Sequence, residues 1–163
     1  LASDPVLTPD IVESRGGRLV EIDELLKNSD FVTLHAPLIP STTKMIGKAE
    51  LDIMKEDSFL INAARGPLID EEALHNALSN NIIGGAGLDV MVDSIPSKSH
   101  PLLSLENIIV TPHVAFFSQE STLELEQRAA AEVVSVYKGR MPDNLVNKDV
   151  LNHPNPRHNI DRL

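Results

Sequence analysis

Four residues of the 163-residue chain stand out by type and spacing. They are His35, Arg65, Asp89 and His113, set 30, 24 and 24 positions apart. Each closes or follows a short apolar run. His35 opens His35-Ala-Pro-Leu38, Arg65 sits in Asn62-Ala-Ala-Arg-Gly66, Asp89 in Gly84-Gly-Ala-Gly-Leu-Asp89, and His113 in Thr111-Pro-His-Val-Ala115. A histidine exchanges a proton near neutral pH. An arginine presents the planar fork that grips a carboxylate. Taken singly, each has an ordinary structural explanation: a hydrogen-bonded strand-end His, a solvated loop Arg, an Asp capping a turn. Brought to one sheet edge, they suit proton-coupled chemistry on a small carboxylic acid.

The elements that must position them alternate. Phe31-Val-Thr-Leu-His35, Ser58-Phe-Leu-Ile-Asn62, Gly87-Leu-Asp-Val90 and Asn107-Ile-Ile-Val-Thr111 are short, apolar and bounded by turn residues, so they read as buried strands. Arg18-Leu-Val-Glu-Ile22 reads as a shorter one. Helices are expected over 23–28, 48–55 and 70–80, the last with the acidic first turn Asp70, Glu71 and Glu72. A longer helix is expected over 121–138, with Ser121 and Glu124 at capping-box spacing and Gly139 as its stop. The first two spacings fit strand–helix–strand passages of ~30 residues, whereas the third gap holds a Pro- and Ser-rich loop over 94–104 and no full helix. Alternation of this kind implies an α/β fold with a doubly wound parallel sheet, whose ligands sit beyond the carboxyl ends of the strands. Asn152-His-Pro-Asn-Pro-Arg-His-Asn-Ile160 has too little apolar content to pack and is expected to be a loose tail.

Composition narrows the partners. With 14 basic and 24 acidic side chains the formal net charge is −10, which disfavours nucleic acid or an anionic membrane as the main partner. The absence of Cys excludes disulfides, thiolate metal sites and a Cys nucleophile, and fits a reducing, cytoplasmic compartment. No metal site is expected. No apolar run approaches the roughly 20 residues of a membrane helix. Gly84-Gly-Ala-Gly87 is no dinucleotide loop, because Val90 stands at the third glycine position and the run leads into a strand. Its glycines are expected to allow close backbone approach beside a ligand.

Four segments together resemble the D-isomer-specific 2-hydroxyacid dehydrogenases. They are Asp30-Phe-Val-Thr-Leu-His-Ala-Pro-Leu38, Leu60-Ile-Asn-Ala-Ala-Arg-Gly-Pro-Leu-Ile-Asp70, Gly84-Gly-Ala-Gly-Leu-Asp-Val90 and Asn107-Ile-Ile-Val-Thr-Pro-His113. The likeness covers about residues 1–147. Within the family, Pro112-His-Val-Ala-Phe-Phe-Ser-Gln-Glu-Ser121 looks most like the branch of the C-terminal-binding-protein corepressors and their bacterial dehydrogenase relatives.

The resemblance implies a Rossmann-type domain that binds NAD and transfers a hydride between the nicotinamide and a D-2-hydroxy or 2-oxo acid. It implies that Arg65 grips the substrate carboxylate and that His113 is the acid/base. It places His35, Ala36, Pro37 and Thr42, then Ala63, Ala64 and Arg65, then His113, Ala115 and Phe116 along the cofactor, with Asp89 near its carboxamide end. Asp4 matches the acidic residue that binds the adenine ribose, so NAD is expected in preference to NADP. The family carries a Glu, paired with the catalytic His, where counting from Asp89 gives Ser94; Asp93, one residue earlier, is the candidate replacement. By this likeness residues 1–118 are expected to be a partial dinucleotide-binding domain, lacking its first strand and Gly-rich loop. Residues 119–140 are then a return helix toward a substrate domain, and 141–163 a C-terminal segment and tail. A homodimer is implied as well. The alternative role is a dimeric NAD-binding interaction module of corepressor type, with little or no turnover.

Overall fold

The computed structural model describes residues 1–152. The chain divides into two compact units, Leu1–Ala115 and the segment from Phe116 onward.

The first unit is organised by a four-stranded parallel sheet, β1 (Phe31–Leu34), β2 (Phe59–Asn62), β3 (Gly85–Leu88) and β4 (Ile108–Val110), in the spatial order β1-β2-β3-β4. Register aligns Leu34 with Asn62 and Asn62 with Leu88, so the carboxyl ends of the three long strands lie level. Three helices belong to the same layer: α2 (Ile22–Asn28), α3 (Lys48–Asp52) and α4 (Glu71–Ser79), with α1 (Pro9–Glu13) preceding them. Strands added successively in one direction, with right-handed crossovers, put their connecting helices on one face. The core follows that rule: Leu26 of α2, Leu51 of α3 and Leu74 and Leu78 of α4 form one buried cluster with Val32, Leu60 and Leu88. The alternate residues Phe31, Phe59 and Ile109 point to the opposite face and are exposed, Phe31 and Phe59 stacking at 5.5 Å.

Asp70 is the strongest local device in this layer. Its carboxylate caps α4 by accepting the N–H groups of Glu72 and Ala73 and takes the Lys44 ammonium at 2.9 Å. The Lys44 hydrogen bond and those cap bonds hold the Asp70 carboxyl below the usual carboxylate value.

Several local expectations shift. Residues 18–22 form no strand of the sheet: Leu19 makes an isolated parallel bridge to Ala2, and Ile22 already opens α2, whose first turn carries Asp23 and Glu24. The third strand begins at Gly85, two residues early, where it pairs in register with Phe59 of β2; the Phe59 ring and the Asn107 carbonyl each come within 2.9 Å of where a Cβ on Gly85 would sit, so the position takes no side chain. Gly84 is crowded in the same way by the Asp57 backbone. The close approach made by these two glycines is therefore to the protein itself. Residues 48–55 yield only the short α3, and the 94–104 loop contains a single 3-10 turn, Pro101–Ser104.

The second unit is described by itself. It is led by α5 (Gln119–Tyr137), which starts two residues before 121. Its cap is reciprocal: Ser118 Oγ accepts the Ser121 N–H at 3.0 Å and Ser121 Oγ accepts the Ser118 N–H at 2.9 Å. Glu124, expected to close a capping box, pairs with Arg128 one turn later at 2.6 Å. Gly139, at φ +74°, ends the helix, with the Arg140 N–H reaching back to the Ser135 carbonyl and the Gly139 N–H to that of Val136. The expected loose tail falls on 152–160, which lies outside the described residues apart from its first position. Among the described residues no helix is long and apolar enough to cross a membrane.

Candidate active site at the carboxyl edge of the sheet

Asn62 ends β2 on its core-facing side and is fully buried. Its side-chain amide donates to the Arg65 carbonyl at 2.9 Å, and its Oδ1 accepts the Ala64 N–H at 3.0 Å. Both polar ends of the side chain are thus spent on folding the 62–65 turn back on itself. This places Arg65 beyond the strand with an exposed side chain, whose Nη1 donates to the Ala64 carbonyl at 2.6 Å. Asn62 carries no functional expectation from the sequence. The available signal was an amide at the end of an otherwise apolar strand, where burial demands partners.

Gly66 fixes the same turn from outside. A Cβ there would lie 2.1 Å from the Met91 carbonyl carbon and 2.5 Å from the Val92 nitrogen, so only glycine lets the segment after β3 pass beside Arg65.

Asp89 follows β3 and is buried. Its Oδ1 accepts the Thr111 hydroxyl at 2.5 Å and the Val114 N–H at 2.8 Å, while Oδ2 accepts the Ala115 N–H at 2.9 Å. Burial alone would raise its pKa. The bonds from Thr111, Ala115 and Val114, with the nearby His113, outweigh burial and hold the carboxyl below the ordinary carboxylate value. The carboxylate expected beside the cofactor's carboxamide end is therefore engaged by the 111–115 turn. His113 stands at the apex of that turn with φ +56°, its N–H donating to the Asp89 carbonyl at 2.9 Å. His and Asn tolerate this left-handed conformation better than most residues do.

The remaining expected residues fall into three places. His35, just after β1, lines with Ala36, Pro37, Leu38, Ala63, Ala64 and Arg65 an open cavity of about 590 Å³ between the ends of β1 and β2. Thr42 stabilises its rim, donating to the Pro37 carbonyl at 2.6 Å and accepting the Ile39 N–H at 2.9 Å. Asp4 lies outside the four-stranded sheet, where Oδ1 accepts the N–H groups of Val6 and Leu7 in a local turn. Asp93 and Ser94 are exposed on the loop after β3. Ala115 closes the first unit, while Phe116 begins the second.

The cavity lies in the size range of small-molecule sites, and its alanine walls leave room at the strand ends. A further cavity of about 510 Å³ lies between α3 and α4, lined by Lys48, Asp52 and Asn76 among others, and contains none of the strand-end cluster. Among the described residues no group of three or more His, Asp or Glu is placed to hold a metal ion.

Comparison with known proteins points the same way. Over 145 residues the chain is 41% identical to the D-3-phosphoglycerate dehydrogenase of Methanocaldococcus jannaschii, covering 88% of this chain and 28% of that protein. Over 148 residues it is 40% identical to the glyoxylate reductase of Thermococcus litoralis, covering 91% and 44%. The crystal structure of D-lactate dehydrogenase with NAD+ from Lactobacillus jensenii superposes with a TM-score of 0.81 at 33% identity, over 90% of this chain and 48% of that one. The chain thus spans less than half the length of these relatives. Residues 1–115 match the family described as D-isomer specific 2-hydroxyacid dehydrogenase, NAD binding domain, and the chain belongs to that family.

Proposed function

We propose that this chain supplies the cofactor site and the proton-transfer residues of an NAD-dependent D-2-hydroxyacid dehydrogenase. The observation that carries the reading is the double grip on His113. The Asp89 carbonyl and carboxylate together bind the backbone N–H groups of three successive residues, 113 to 115, which fixes the histidine's main chain at the end of β4, two strands along the sheet from β2, which Arg65 follows. Such rigidity is what proton transfer to a bound substrate needs, because misplacement by an ångström costs orders of magnitude in rate.

In this reading Arg65 binds the substrate carboxylate and the adjacent oxo group through its guanidinium fork. His113 gives a proton to the oxo oxygen during reduction and takes it from the hydroxyl during oxidation. Asp93 is the carboxylate available to orient the imidazole in place of the family Glu. His35, Ala36, Pro37, Ala63 and Ala64 form the wall on which the dinucleotide rests, with Thr42 holding its rim. Ala115 extends that lining, and Asp4 takes the adenine ribose. NAD, when bound, accepts or supplies the hydride. The protein is expected to work as a homodimer.

The test is turnover of NADH with a panel of small 2-oxo acids by the protein that carries this chain. Activity abolished by His113→Asn and by Arg65→Ala supports the dehydrogenase. Dinucleotide binding with no turnover on any acid overturns it in favour of a binding module.

A further inference from the structure

The loop that leaves β3 carries Asp93, and a single carboxylate from another element touches both of its ends. Glu71, the first residue of α4, accepts the Val92 N–H on Oε1 at 2.7 Å. Its other oxygen, Oε2, faces His100 Nε2 at 3.4 Å. The two side chains are only 18% and 17% exposed, so solvent screens the contact far less than it does an open surface pair. His100 Nδ1 is buried with no hydrogen-bond partner among the described residues. The ring therefore meets the loop's surroundings through Nε2, the nitrogen that faces the Glu71 carboxylate.

Both ends of the loop are seated on firm structure. Met91 and Val92 pass against Gly66, beside Arg65. His100 leads into Pro101–Ser104, whose Leu102 is fully buried in the core. Between the two ends, Asp93, Ser94, Ile95, Ser97, Lys98 and Ser99 are exposed. Glu71 itself stands on a helix whose cap, Asp70, is tied to Lys44.

We propose that Glu71 is a positioning residue: by holding Val92 and His100 together it sets the course of loop 92–100, and with it the place of Asp93 relative to the strand edge. Only its consequence for turnover rests on the dehydrogenase reading.

Amide hydrogen exchange on the whole chain tests the clamp directly. Glu71→Ala is expected to speed exchange across 92–100 by roughly tenfold or more, leaving the amides of β1, β2 and β3 unchanged. Glu71→Gln retains an oxygen for the Val92 N–H and should fall between that variant and the parent. Exposed Glu72→Ala, on the same turn, should leave the loop as it was. If Glu71→Ala does not fold, His100→Gln is read in the same way. Loop exchange unchanged in the folded variants, or raised equally throughout the sheet, overturns the proposal. In the active protein the loosened loop should lower kcat while the KM for NADH stays put, and a loosened loop with unaltered kcat overturns the positioning role. A parent that turns over no 2-oxo acid counts against the dehydrogenase reading alone, and the exchange result still decides the clamp.

Discussion

Asp89 holds His113 through the main chain: the His113 N–H meets the Asp89 carbonyl at 2.9 Å, while the Asp89 carboxylate takes the N–H groups of the next two residues. A buried carboxylate with three donors on it is a folding device as much as a chemical one. The same atoms that order the turn depress the carboxyl's pKa.

Asp89→Asn should therefore destabilise the first unit by about 1–3 kcal/mol, because the amide turns one acceptor into a donor facing backbone N–H groups. Denaturant midpoints for the two proteins check this. A pH dependence should accompany it. The folded carboxyl titrates below the unfolded value of about 3.9, so its contribution is complete above that value and is lost as the pH falls through the lower, folded one. Stability should decline below about pH 4 in the parent, and less steeply in Asp89→Asn. Asp70, lowered by Lys44, accounts for part of the slope that remains.

Gly66→Ala should be among the most damaging small substitutions. The added methyl meets the Met91 backbone at 2.1 Å, which cannot rotate away as a side chain would. We expect a loss of about 2 kcal/mol or more from the forced backbone shift. We also expect a higher KM for the oxo acid, since Arg65 is the neighbouring residue. Thermal unfolding and steady-state kinetics read the two effects separately.

Arg65→Lys keeps the charge and loses the fork. For a bidentate carboxylate contact worth 1.5–3 kcal/mol this should cost roughly 10- to 150-fold in kcat/KM for the 2-oxo acid, with NADH affinity little changed. An equal loss of dinucleotide affinity would place Arg65 on the cofactor instead.

His113→Asn removes the acid/base while keeping a residue that accepts φ +56°. It should lower kcat by roughly 10²–10⁴-fold with stability nearly unchanged. His113→Ala is expected to lose stability as well, because alanine in the left-handed region costs about 1–2 kcal/mol. Comparing the two variants separates catalysis from backbone strain.

Asp4→Ala should narrow the preference for NADH over NADPH, because the carboxylate that repels a 2′-phosphate is gone. Dissociation constants for the two dinucleotides measure this. A ratio unchanged in Asp4→Ala would confine Asp4 to its local turn with Val6 and Leu7.

The sequence by itself determined the alternation of strands and helices, the parallel sheet and the position of Arg65, Asp89 and His113 at strand ends. These follow from hydrophobic periodicity and turn residues, which act over a few positions. Only the tertiary structure decided what each polar side chain is occupied with. Asn62 is committed to the Arg65 turn, Asp89 to the backbone around His113, and Glu71 to a loop that starts 21 residues away. Gly85 likewise joins β3 through its pairing with Phe59, whose ring leaves no room for a side chain there. Periodicity reports which side chains leave water. The choice of hydrogen-bond partners is made afterwards, when burial forces each polar atom to find whichever group the folded chain has brought within about 3 Å.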